Sequence, residues 1–277
     1  AYTRVIAELT PTHAKWKFTT ELVDYLPESS VPTPLDVLGY VPGTVGRLSK
    51  TADVNRYFRA LDAASSRVRI FPMGKSDDGR EMLVAAIGDS ATLARVDEYR
   101  QMLVRLADPR GLAPAEKERI LVDGKPVYWL TGSIHSPETG SPEMLMELAY
   151  RLAVDEGEQA RAIRANVITL VTPILEVDGR DRRVDTYAQS RALGLGPSGV
   201  PLPYWGKYTA HDNNRDAMVL SQKLMQHVAA TFLHWRPTVA HDLHESVPFL
   251  YTSTGTGPYN DEYDPIVVTE WNQLAYA

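Results

Sequence analysis

The sequence predicts an α/β domain, a sheet with helices on both faces. Short apolar runs at 67–71, 82–87, 127–131, 167–171 and 238–240 read as strands. Segments with helical spacing, of roughly 10–20 residues, alternate with them, which favours a layered sheet over a bundle or sandwich. The 277 residues, 44% hydrophobic and 23% charged, suffice for one large domain or a domain with an extension.

Residues 1–48 differ from the rest. Pro11, Pro27, Pro32, Pro34 and Pro42 are separated by short apolar stretches. This part reads as an N-terminal extension on the surface of a domain at 49–277, or as a flexible leader. From Ser49, a capping residue, a helix is expected to Ala64, with Val54, Tyr57, Phe58 and Leu61 on one face. Strands at 67–71 and 82–87 follow, joined by a Gly- and Asp-rich turn at 74–79. A helix at 92–106 ends at Asp108, Pro109 and Gly111, and a shorter one begins at Pro114. The strand at 127–131 leads to Gly132 and on to His135. Ser141 as cap, Pro142 in the first turn and Glu143 behind it mark the next helix, with Met144, Leu145, Leu148, Ala149 and Leu152 on its apolar face. The strand at 167–171 closes at Pro173. A long helix is expected from Asp216 to Trp235, stopped by Pro237, before the last strand at 238–240.

Composition excludes several classes. The net charge is −6, from 29 Lys+Arg against 35 Asp+Glu, and no basic block offers a nucleic-acid footprint. There is no cysteine, so a metal site must use His, Asp or Glu. No apolar run approaches the ~20 residues of a membrane span. Ala1 stands first, with no signal-peptide pattern after it, as after removal of a leader or trimming. A secreted or periplasmic protein is the expectation.

Three short segments carry chemistry. His135 and Glu138 can share one ion if Pro137 fixes a tight loop, although a loop His beside a helix-capping Glu looks the same. In the run 241–245, strand alternation puts Asp242 and His244 on one face and His241, Leu243 and Glu245 on the other. His244 lies furthest along the loop and is the preferred ligand, with His241 its rival; Asp242 can orient a ligand or hold substrate. His135 and His244 both follow strand ends, where open α/β sheets bind ligands. Two imidazoles and one carboxylate leave a fourth position for water, as in hydrolytic zinc sites, where the metal lowers the water's pKa towards ~7. The third segment, 211–216, contains Asn214 and Arg215, an amide and a guanidinium fork that suit a carboxylate. The same Asp/Asn cluster also suits a helix cap.

In this order the segments resemble the zinc carboxypeptidase family, the family of carboxypeptidase A. The stretch from Gly74 to Arg80 is similar to the family's Gly-x-Ser-x-x-Gly-Arg turn. Glu176, Val177, Asp178 and Gly179 are similar to its Asn-Pro-Asp-Gly segment, with Glu and Val in the first two places. The resemblance covers about 50–255. It implies a carboxypeptidase-like mixed sheet sandwiched between helices, and one Zn²⁺ held by His135, Glu138 and His244. It implies that Asn214 and Arg215 bind the terminal carboxylate of a peptide or protein substrate, and that C-terminal peptide bonds are hydrolysed. Arg191 stands at about the right distance from Gly179 to be the family's transition-state Arg, with Arg180, Arg182 and Arg183 as rivals. Glu245 departs from the family, which has a small residue after the third ligand. The family's catalytic Glu and substrate-capping Tyr lie several dozen residues beyond that ligand, whereas 33 residues follow His244 here. The expectation is a C-terminally truncated piece with an incomplete sheet, or a divergent short member with another base. Two alternatives stand beside it. One is a metal- or peptide-binding module of the same fold without the general base. The other is a serine esterase built on Gly88, Asp89 and Ser90, though that class needs an Asp-x-x-His that the last third lacks. His13, His227 and His234 read as surface or packing residues. Tyr204, Trp205, Tyr208, Tyr251 and Tyr259 could line a peptide cleft or pack in the core.

Overall fold

The computed structural model describes residues 2–9, 28–196, 199–201, 211–245 and 264–276. Pro11, His13, Pro27, Tyr204, Trp205, Tyr208, Tyr251 and Tyr259 lie outside the described residues. The chain up to His244 forms one compact unit; a second, from Glu245, is described through helix α11 (Pro265–Tyr276) alone.

In the first unit five strands form one sheet: β1 (Val68–Lys75), β2 (Glu81–Ile87), β3 (Val127–Gly132), β4 (Ile168–Thr172) and β5 (Val239–Leu243), in the order β1-β2-β4-β3-β5. The hairpin β1–β2 and the β2–β4 pair are antiparallel, while β3 is parallel to both β4 and β5. The sheet is therefore mixed. Every residue of β4 is buried, and so is all of β2 after Glu81, because helices cover both faces. On one face Leu83, Ala85, Leu130 and Val171 pack against Tyr57, Phe58 and Leu61 of α3 (Thr51–Ala64) and Leu145, Met146 and Ala149 of α7 (Gly140–Val154). On the other, Val84, Ala86, Trp129 and Leu170 pack against Leu93 of α4 (Ser90–Ala94), Val96 and Tyr99 of α5 (Val96–Ala107) and Trp235 of α10 (Lys223–Trp235). Alternate strand residues thus feed alternate layers. Among the described residues no helix is long and apolar enough to cross a membrane.

Several local expectations are corrected. Ser49 does not cap α3: the N-cap is Lys50, without a side-chain cap, because Ser49 donates from both its N–H and its hydroxyl to Glu143. The helix expected at 92–106 is two helices, divided at Arg95, and the first is capped by Asp89. Ser141 lies inside α7 and accepts from Ser133 N–H instead of capping. Asp216 does not begin α10. It is buried, accepting from Ser221 Oγ and Gln222 N–H, and so holds the turn that leads to Gln222, the N-cap of a helix starting seven residues later, at Lys223. Helix α8 (Glu158–Asn166) follows α7, and helix α9 (Val177–Ala192) has no apolar stripe to announce it. Only its first turn and Ser190 are buried. The segment before Ser49 is partly core: Tyr2 of α1 (Tyr2–Leu9) is buried edge-on against Tyr150 and bonds Glu147, and Thr33 closes a capping box with Asp36 at α2 (Pro34–Leu38).

One ion pair ties these layers together. Arg180 is wholly buried; it donates to Glu143 Oε1 at 2.6 Å and to the carbonyls of Ser49 and Thr139, each at 2.9 Å. Glu143 in turn accepts from Ser49, so the starts of α3, α7 and α9 converge on two charges. Removing one partner strands the other in the core, which typically costs about 3–5 kcal/mol, whereas replacing both with apolar residues costs far less. Arg180→Met is therefore expected to lower unfolding stability by about 3–5 kcal/mol, and Arg180→Met with Glu143→Leu to recover most of it. Denaturant titration checks this; a loss below about 1 kcal/mol in the single variant would show that the pair is not a pin.

Candidate metal centre

Strands β3 and β5 run side by side in the same direction, with Gly132 opposite Leu243 at their ends. His244 is the next residue after β5, and the loop after β3 brings His135 back towards it. That loop is held by backbone bonds: Ser133 carries a positive φ of 51°, its N–H donates to Ser141 Oγ, and its carbonyl accepts from Glu176 N–H at 3.0 Å. Glu138 N–H bonds the His135 carbonyl at 3.0 Å, closing the tight turn expected of Pro137.

Glu138 sits between the two imidazoles. Its Oε1 lies 2.8 Å from His135 Nδ1 and its Oε2 lies 3.0 Å from His244 Nδ1. The ring centroids are 4.8 Å apart, and one donor atom from each of the three residues falls within 4.8 Å of the others. Each imidazole meets a second carboxylate on its far side. His135 Nε2 is 3.2 Å from Asp212 Oδ1, and His244 Nε2 is 2.7 Å from Asp242 Oδ2. Asp242 is itself held by the Thr131 hydroxyl, and Asp212 accepts from Asn214 N–H.

This pattern fits a divalent cation. An imidazole that donates its Nε2–H outwards to a carboxylate has only a lone pair at Nδ1. Both lone pairs would then face the oxygens of Glu138 at hydrogen-bond distance. Three carboxylates around two imidazoles make a donor-rich site that a metal cation would suit. The three donor atoms lie within 4.8 Å of one another, compact enough that one ion could take all three. The donor set of two His and one Glu suits zinc, and Asp212 and Asp242 would orient the rings.

The other predicted residues divide. Asn214 and Arg215 lie in a short 3₁₀ turn, Asn213–Arg215, with Asn214 Nδ2 3.5 Å from His244 Nε2 and Arg215 exposed. His241 points to the opposite face and bonds the Tyr128 hydroxyl at 2.8 Å. Arg191 is not brought to the cluster: it stacks over Tyr187 and against Gly46, in the last turn of α9. Gly179, in the first turn, touches Ser136 beside His135, and twelve residues of helix put Arg191 about 18 Å along the axis. Of its rivals, Arg180 is buried in the Glu143 pair and Arg182 bonds Asp78. Ser90 bonds the Ser66 hydroxyl at the start of α4, and His227 packs over Gly74 and bonds the Lys75 carbonyl. Asp212 escapes a sequence reading because nothing in the local sequence shows that its turn faces His135. So does Glu176, which is buried, accepts from Gly179 N–H at 3.1 Å and Asn213 Nδ2 at 2.7 Å, and has its carboxyl pushed up by burial.

A mixed α/β sheet that carries a His–Glu–His cluster beyond two parallel strand ends defines a candidate metal-binding protein. The chain belongs to the zinc carboxypeptidase family, whose profile matches residues 54–194, a span that contains His135 and Glu138. Among solved structures it is similar to carboxypeptidase A from Helicoverpa armigera, at 16% identity over 73% of this chain and 46% of that one, with a TM-score of 0.47. A putative carboxypeptidase from Burkholderia mallei is 14% identical over 77% of this chain and 45% of that one, with a TM-score of 0.48. A metallo-carboxypeptidase from Pseudomonas aeruginosa is 12% identical over 72% and 40%, with a TM-score of 0.45. The chain spans less than half the length of each of these three. No curated protein matches it in sequence.

Two outcomes test the geometry. His244→Ala is expected to abolish stoichiometric zinc uptake, measured by metal analysis after dialysis, and Asp242→Ala to weaken zinc affinity by about 10–100-fold. Unchanged stoichiometry in the first would remove His244 from the ligand set. Separately, a Cβ at Gly179 would collide with the buried Ser136 side chain. Gly179→Ala should therefore destabilise by about 1–3 kcal/mol, against the ~1 kcal/mol that Ala ordinarily gains in a helix. A Tm equal to or above the parent's would show that α9 can shift away.

Proposed function

We propose that the protein is a zinc-dependent carboxypeptidase that removes C-terminal residues from peptides or proteins. One zinc ion would be held by the imidazoles of His135 and His244 and by the carboxylate of Glu138. The reading rests on one observation above others: the donor atoms of the three residues converge, with Asn214 at their edge, 3.5 Å from His244. When bound, zinc supplies Lewis acidity that polarises a scissile carbonyl and makes a water more acidic.

The chain's own residues do the rest of the work assigned here. Asp212 and Asp242 hold the two imidazoles with their Nδ1 lone pairs inwards. Three carboxylates around the cluster attract a cation but repel a substrate's terminal carboxylate. Arg215, always charged, offsets that repulsion and can grip the carboxylate with two parallel N–H bonds, while Asn214 adds an amide donor. A peptide so held has its last amide bond near the cluster; water adds across that bond, leaving a new carboxylate and a free amine. Specificity for a chain end follows from charge, since an amidated C-terminus gives Arg215 nothing to pair with.

Peptides matched in sequence, one with a free and one with an amidated C-terminus, test this with the zinc-loaded protein. The free peptide is expected to lose its last residue, with turnover stopped by a chelator and restored by zinc. Arg215→Ala should raise KM by at least about tenfold. Equal cutting of both peptides would rule out a carboxypeptidase. Zinc-dependent binding of the free peptide without turnover would instead favour a peptide-binding module of the same fold.

A further inference from the structure

We propose that Glu176 is a positioning residue: acting through Asn213, it fixes the Asn214–Arg215 turn against the His135 loop and so sets the protein's preference for a free C-terminus. The inference rests on the reading of Asn214 and Arg215 as the carboxylate-binding pair.

Glu176 opens α9 as its N-cap, and a plain cap is the simplest account of it. That account leaves too much unexplained. Asp, Asn or Ser cap a helix well, and with a shorter reach. A glutamate buried to 5% exposure carries a desolvation cost that a shorter polar cap could avoid. The extra length brings its second oxygen to Asn213 Nδ2, at 2.7 Å. The same amide donates to the Ile134 carbonyl at 3.1 Å, one residue before His135. The backbone N–H of Glu176 bonds the Ser133 carbonyl at 3.0 Å. One residue thus joins three segments: the loop after β3, the start of α9 and the turn after Asp212.

Asn213 is fully buried and is the first residue of the turn that presents Asn214 and Arg215. The turn is fixed at two neighbouring points, by Asp212 against His135 and by Asn213 against Glu176. The first contact depends on a metal ligand; the second does not. Loss of the second should let the turn drift while the ligand set stays in place. A shift of about 1 Å in a group that positions substrate can cost on the order of a hundredfold in function.

The test uses calorimetric binding of the free and amidated peptides to the zinc-loaded protein, with zinc affinity and Tm measured in parallel. Glu176→Asp and Glu176→Ser both retain a capping group but are too short to reach Asn213. Both are expected to keep zinc affinity within about twofold and to lower the free-to-amidated affinity ratio by about tenfold. If Glu176 acts through Asn213, the double variant Glu176→Ala with Asn213→Ala should discriminate no worse than Asn213→Ala alone. A wild-type ratio kept by either capping variant overturns the inference, as does a parallel loss of zinc and peptide binding, which would mark a merely structural role. Equal binding of both peptides by the wild-type protein overturns the reading of Asn214 and Arg215, and this inference with it.

Discussion

Because β3 and β5 pair in parallel with Gly132 opposite Leu243, the chain leaves the sheet twice at the same height and on the same edge. The candidate metal site depends on that register. A one-residue slip of β5 would turn His244 to the face now taken by His241, which bonds Tyr128 well away from Glu138. β3 is fixed by β4 on its other side, whereas β5 is an exposed edge strand that packs on the core through Leu243.

The loops beyond the strand ends need a second kind of support, because they carry charge that repels itself. Glu138, Asp212 and Asp242 surround two imidazoles. Holding such groups together without a cation costs free energy, and the surrounding bonds supply the restraint. Arg180 takes the carbonyl of Thr139, directly after Glu138, and anchors it to Glu143. Glu176 takes Asn213 and the Ser133 carbonyl. The positive φ of Ser133 lies within this frame, where backbone strain is held by bonds on either side. The candidate site is thus pre-formed by buried polar contacts, so a cation would meet its donor groups already in place.

Much of the fold was legible. Helices α3 and α7 announce themselves because each buries one face and repeats its apolar residues with helical period, α6 (Pro114–Asp123) because Pro114 opens it, and the inner strands because they are short apolar runs buried between helix layers. The misreadings share a cause. Ser49, Ser141 and Asp216 all look like helix caps, but each gives its polar atoms to a distant or non-helical partner. Cap signals are local, whereas those bonds are set by packing. Helix α9 was missed for the converse reason: its exposed length needs no apolar stripe, and its buried first turn is polar and satisfied by tertiary contacts.

At the candidate site, the sequence by itself determined the candidate donor types and their spacing: a His and a Glu three apart after one strand, and a His after another, with alternation placing Asp242 on the His244 side. It could do so because strand period and turn length are local properties. Only the tertiary structure decided which partners complete the cluster. It turned Asp212 to His135, joined Glu176 to Asn213, and left Arg191 at the far end of α9, although its spacing from Gly179 had suggested a place at the site. A distance along the chain becomes a distance in space only after secondary structure is assigned. Twelve residues of helix carry a side chain about 18 Å away, where a loop of the same length could have brought it back.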